Sequence, residues 1–120
     1  MAVTAEELRK RTKEFAIAIV RLCRSLPTTA EARIMGNQLL RCGTAVGANY
    51  RAVCRARSRA DFVSKIGIVV EEADESIFWL ELLVETGIVP TSHVTALREE
   101  ANELLAMFCA SQLTAKQNAA

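Results

Sequence analysis

The chain is poor in the residues on which most enzyme chemistry depends. Its 120 residues include one histidine, His93. A di-iron centre in a helical bundle needs Glu-x-x-His on two helices plus further inward glutamates. A cysteine nucleophile needs a base such as imidazole beside it. A lone histidine in a connection supplies neither. The four cysteines, Cys23, Cys42, Cys54 and Cys109, are scattered and never form CxxC. They read as reduced thiols acting as small apolar residues, not as a disulfide framework. Neither GxxxxGK[ST] nor GxGxxG occurs, so neither glycine-rich phosphate loop is present. Cofactor, metal and catalytic residues are therefore all expected to be none, and the chain is not expected to be an enzyme.

Long apolar runs are also missing. The best stretch, Ile66 to Val70, is broken by Gly67 and followed by Glu71 and Glu72, far short of the ~20 residues a spanning helix requires. The opening MAVTAEELRKRTKEF is charged and has no signal-peptide core. No membrane association and a cytoplasmic, bacterial setting are the expectation. There is no strand alternation, internal repeat or low-complexity tract.

What the chain has is apolar periodicity. Apolar residues make up 51% of the composition and the mean hydropathy is +0.17, high for a small soluble monomer. That excess implies further burial in an oligomer. Steps of three and four dominate, as a bundle seam demands. They run through Leu8, Phe15, Ile19, Leu22 and Leu26, then Met35, Leu39, Cys42, Val46 and Val53. A third series is Phe62, Ile66, Val69, Ala73, Ile77, Leu80 and Val84, and a fourth is Val94, Leu97, Ala101, Leu104 and Phe108.

Punctuation separates these series. Thr4 with Glu7 and Thr28 with Glu31 have capping-box spacing. Ser58 with Asp61 places a hydroxyl and an acid at a third start. Gly87 marks a stop, and Thr91 or Ser92 after Pro90 can cap a last helix. Helices are predicted near 5–25, 29–56, 59–86 and 92–116. Short connections make neighbours antiparallel, so the fold is an all-α, up-down-up-down four-helix bundle. It forms one domain over 1–120, with the tail 117–120 frayed.

Net charge is +1, unevenly spread. Residues 28–57 carry five basic and one acidic side chain, whereas 58–87 carry two and seven. Arg51, Arg55, Arg57 and Arg59 fall close together in NYRAVCRARSRADF. At about 100° per residue, Arg41, Arg51 and Arg55 share one arc of the second helix, away from the seam. Asn49 continues the seam and reads as a register-fixing hydrogen bond or, alternatively, a ligand contact. Arg57 complements the helix C-terminus. The third helix carries, behind its seam, Asp61, Ile68, Glu71, Glu72, Glu75, Trp79 and Leu82. Arg and Trp together mark interfaces. Arg51 and Arg55 are therefore expected to meet Glu72, Glu75 and Trp79 across a helix contact, within or between subunits. The alternative is a solvated acidic face with one Trp on it. Arg9, Lys10, Arg11, Lys13, Arg21 and Arg24 of the first helix could instead contact RNA, with steep salt dependence.

Residues 26–89 resemble the four-helix bundle protein family that includes proteins encoded in intervening sequences of bacterial ribosomal RNA genes. The match rests on Leu26-Pro27, Gln38 to Arg41, Asn49, Arg57-Ser58 to Asp61-Phe62, and Glu75. Tyr50-Arg51-Ala52-Val53 stands where the family shows Ile-Ala-Glu-Gly. The resemblance implies a homopentamer around a central axis. The family also includes accessory variability proteins of diversity-generating retroelements, which are basic pentameric barrels that bind RNA and a reverse transcriptase. The near-neutral charge here departs from them. The resemblance and the residues together point to a non-enzymatic, self-assembling scaffold or interaction module. The alternative is an accessory protein that binds RNA or nucleoprotein.

Overall fold

The computed structural model describes residues 3–118. Its four long helices are α1 (Ala5–Arg24), α2 (Ala30–Val53), α3 (Arg59–Glu85) and α4 (Thr95–Gln117), with a short 3-10 turn at Thr91–His93. Among the described residues there is no strand. Each helix packs most closely on its neighbours in sequence, while α1 and α4 touch only sparsely. The result is an elongated bundle, 51 × 27 × 21 Å.

Helix starts follow the capping logic. Thr4 Oγ1 accepts from the Glu7 N–H at 3.1 Å, and Ser58 Oγ accepts from the Asp61 N–H at 3.0 Å. For α2 the cap is Thr29, one residue later than expected from Thr28 with Glu31, and it accepts from the Ala32 N–H. Gly87 stops α3 with φ of 75°, a left-handed geometry that glycine adopts without Cβ strain. Its N–H bonds the Val84 carbonyl, and the Ile88 N–H bonds the Leu83 carbonyl.

Two boundaries differ from the sequence expectation. The second helix ends at Val53, not near 56, because the N–H groups of Arg55 and Ala56 turn to i−3 carbonyls and tighten the chain. Neither Thr91 nor Ser92 caps the last helix. Pro90 leads into the 3-10 turn, and Val94 enters α4 with no side-chain cap. At the far end Gln117 still closes α4 and Asn118 caps it, while the last two tail residues lie outside the described part.

The core is drawn from all four helices: Ile19, Leu39, Val46, Ile66, Leu80, Leu104 and Phe108 have essentially no exposed surface. Burying a side chain of this size stabilises by about 1.5–3 kcal/mol relative to exposure. The seams shift in two places. Tyr50, not Asn49, continues the α2 seam, and its ring meets Phe108 at 5.6 Å. On α3, Ser76 and Leu83 are buried where Ile77 and Val84 were expected. Small residues set the α1–α2 spacing. A Cβ at Gly43 would stand 2.8 Å from Ile19 Cγ2, and one at Gly47 would stand 3.2 Å from the Thr12 carbonyl oxygen.

Candidate functional site

The outer face of α2 and α3 is the region where polar and apolar side chains are organised together. At its centre Arg41 reaches from α2 to two carboxylates of α3. Its Nη1 lies 3.3 Å from Glu72 Oε2, and its Nη2 donates to Glu75. Both acids are partly buried while Arg41 is half exposed. A pair this open to solvent is strongly screened, so it orients more than it stabilises.

These are the acids that sequence reasoning assigned to Arg51 and Arg55. In an antiparallel hairpin, a residue pairs with one equally far from the turn. Arg41 and Glu72 stand at matching distances from the α2–α3 turn, whereas Arg51 and Arg55 stand beside it. The periodicity of α2 placed all three on one arc but left out this register. Arg55 does not lie on the helix at all, nor does Arg57. Among the described residues no carboxylate lies within 4.0 Å of the guanidinium of Arg51, Arg55 or Arg57.

Apolar side chains flank the Arg41 bridge. Steps of seven residues return to the same helix face within about 20°. Ile34 and Arg41 therefore share a face, as do Ile68, Glu75 and Leu82. Ile34 is 64% exposed, Phe78 54% and Ile68 44%. Trp79 is half buried and stands edge-on to Phe78, with ring centroids 4.9 Å apart. Its indole Nε1 is buried and finds no acceptor among the described residues. A buried N–H without a partner is costly.

Asn49 is half buried, and its side-chain amide donates to the Ala45 carbonyl of its own helix at 2.9 Å. It flanks the seam and holds no partner helix. Asp61 instead organises the α2–α3 turn. It accepts from the Arg57 backbone N–H and from Lys65 Nζ, both at 3.0 Å. The Arg57 N–H bond, with Lys65 second, holds its carboxyl below the ordinary value.

The basic residues of α1 divide. Arg11 is bound to α4: its Nε donates to Glu100 Oε2 at 2.9 Å, and a second nitrogen donates to the other carboxylate oxygen. The Glu100 bond raises its pKa further. Arg9, Lys10, Lys13, Arg21 and Arg24 are exposed, on an arc of about 120° opposite the buried face. His93 is exposed in the 3-10 turn. No group of three or more His, Cys, Asp or Glu that could hold a metal occurs among the described residues. None of the helices is long and apolar enough to cross a membrane.

Residues 6–110 match the family described as 23S rRNA-intervening sequence protein. A crystal structure of a protein of unknown function from the S23 ribosomal protein family of Bacteroides thetaiotaomicron VPI-5482 is 33% identical to this chain. The likeness covers 88% of this chain and 97% of that one, with a TM-score of 0.81. No curated protein matches significantly.

Proposed function

This chain belongs to the 23S rRNA-intervening sequence protein family, and on that premise we propose that it is a non-enzymatic, self-assembling bundle, a homopentameric scaffold or interaction module. The observation that carries this reading is the α2–α3 outer face. Ile34, Ile68 and Phe78 are exposed along it, and half-buried Trp79 stands edge-on to Phe78. Three large apolar side chains exposed on one face are what an interaction surface would use. Aromatic residues with an arginine at the centre are the composition of interface cores.

The occupant that fits is a second copy. Exposed Glu71 and Asp74 of α3 and exposed Arg33 of α2 carry opposite charges that can attract each other between copies. A head-to-tail contact of this kind closes into a ring when its rotation permits. The test is the mass in solution. Light scattering should give a multiple of the 13.2-kDa chain, five by resemblance, and the variant carrying Phe78→Ser and Ile34→Ser should give a smaller one. A monomeric parent protein at tens of micromolar, or a variant of unchanged mass, would sink the reading.

RNA contact is the second reading, and one observation favours it. Arg9, Lys10, Lys13, Arg21 and Arg24 make an exposed cationic face on α1, which an assembly would repeat. Retention of RNA should then fall steeply with salt, and no retention at ~50 mM salt ends this reading.

A further inference from the structure

The α2–α3 turn frames a concave surface that the self-assembly reading does not use. An open groove of about 730 Å³ is lined by Arg51, Arg55, Arg57, Lys65 and Asp61 over a floor of Ala48 and Ala52. Four cations and one carboxylate face it, and that carboxylate is already committed. Asp61 accepts from Lys65 Nζ and from the Arg57 backbone N–H. The guanidinium groups of Arg51, Arg55 and Arg57 are exposed and have no carboxylate within 4.0 Å among the described residues.

Such groups repel one another, and the fold nevertheless holds them together. The turn is tied by the Arg55 N–H to the Ala52 carbonyl, the Ala56 N–H to the Val53 carbonyl, and the Asp61 bond to Arg57. The side chains are therefore carried on a fixed frame. A planar guanidinium presents paired donors that match a phosphate bidentately.

We propose that this groove binds phosphate groups, with a triphosphate chain as the best-fitting anion. Three free guanidinium groups favour several adjacent phosphates over one. The volume falls in the range of small-molecule sites. The lining has no aromatic ring, so a nucleoside attached to the phosphates goes unread. A neighbouring copy's carboxylates are the poorer fit. Glu72 and Glu75 are already held by Arg41, and the groove lies about 25 Å along α2 from Ile34, counted at 1.5 Å per residue.

The experiment is calorimetric titration of the full chain with inorganic phosphate, pyrophosphate, triphosphate, ATP, GTP and oligouridylate. Affinity should rise with the number of phosphates, and ATP should equal GTP. Each lost guanidinium should weaken binding about tenfold, so the Arg51→Ala, Arg55→Ala pair should lose about a hundredfold. Arg57→Gln should lose less than the pair, and Lys13→Ala on α1 nothing. All replaced side chains are exposed, so the melting curve should not move. Triphosphate binding that the groove variants abolish identifies a free polyphosphate ligand. Oligouridylate binding alone, abolished likewise, identifies RNA backbone as the source of the same phosphate chemistry. The proposal is overturned if no probe binds, if binding survives the paired substitution, or if that substitution lowers the oligomer mass. The last result would make the groove a contact between copies, and the Phe78→Ser test is read independently of it.

Discussion

Placing alanine at two glycines of one helix should move stability in opposite directions. Gly36 and Gly43 both lie inside α2, seven residues apart and so on one face, the face turned toward α1 and the connection that follows it. Replacing a mid-helix glycine by alanine ordinarily favours the helix by about 1 kcal/mol, because alanine has less backbone freedom to lose. At Gly36 the new Cβ would stand 2.8 Å from Leu26 Cδ1. That atom is the end of a flexible, half-buried side chain and can swing aside. Most of the gain should survive, leaving Gly36→Ala about 0.5–1 kcal/mol more stable.

At Gly43 the new atom would meet Cγ2, Cγ1 and Cβ of Ile19 at 2.8, 2.9 and 3.3 Å. Ile19 has no exposed surface and is branched at Cβ, so its χ1 is fixed and its surroundings are full. Relief requires α1 to move away from α2. Overpacking of this kind costs about 1–3 kcal/mol, so Gly43→Ala should be neutral to about 2 kcal/mol less stable. Urea unfolding followed by helical circular dichroism measures both. With a slope of about 1–3 kcal/mol per molar urea, the two midpoints should differ by about 1 M. In an Ile19→Ala background the obstacle is gone and Gly43→Ala should become stabilising, a non-additivity that a double-mutant cycle reads directly. The reasoning fails if Gly43→Ala stabilises as much as Gly36→Ala, or if the cycle shows no coupling.

Two predictions concern ionisation. Tyr50 is the only tyrosine, and burial raises its phenol to about 12, with Cys54 adding to the shift. The unfolded phenol ionises near 10, so its contribution to stability is complete below pH 10 and is lost as pH rises toward 12. An ultraviolet titration of the folded chain should show the phenolate late; a midpoint near 10 with helicity intact would refute this. Among the thiols, Cys54 and Cys109 are exposed, whereas burial raises Cys23 to about 11 and raises Cys42 as well. At pH 8 roughly one Cys23 in a thousand is thiolate, so an aromatic disulfide reagent should label Cys54 and Cys109 well ahead of the others. Cys23 or Cys42 reacting at the rate of Cys54 in folded protein would contradict the packing around them.

Much of the architecture was written in the spacing. Two caps, the glycine stop and four apolar series are local features, and local chemistry sets them. The misreadings arose where two helices had to be placed side by side. Asn49 and Tyr50 lie three and four residues from Val46, and both spacings are helical. Only the position of Phe108, more than fifty residues away, selects Tyr50 for the interior. Arg41 was visible as a cation on the right arc, but its claim to Glu72 and Glu75 depends on the register across the turn. Arg55 looks helical, and Arg57 looks like the cation closing that helix, until the backbone tightens after Val53. The groove they line is a property of the turn, and no helical wheel contains it.

The sparse seam between α1 and α4 gives the bundle an order of assembly. The three extensive helix packings join neighbours in the chain and close across short connections, at small entropic cost; besides the α1–α4 seam, Tyr50 of α2 meets Phe108 of α4 across the interior. Arg11 and Glu100 meet across 89 residues of separation. Their paired hydrogen bonds can close only after the three hairpins have brought the first helix round to the last. The clasp is therefore a latch on a finished object, and a chain still being synthesised can hold most of its core before the latch exists.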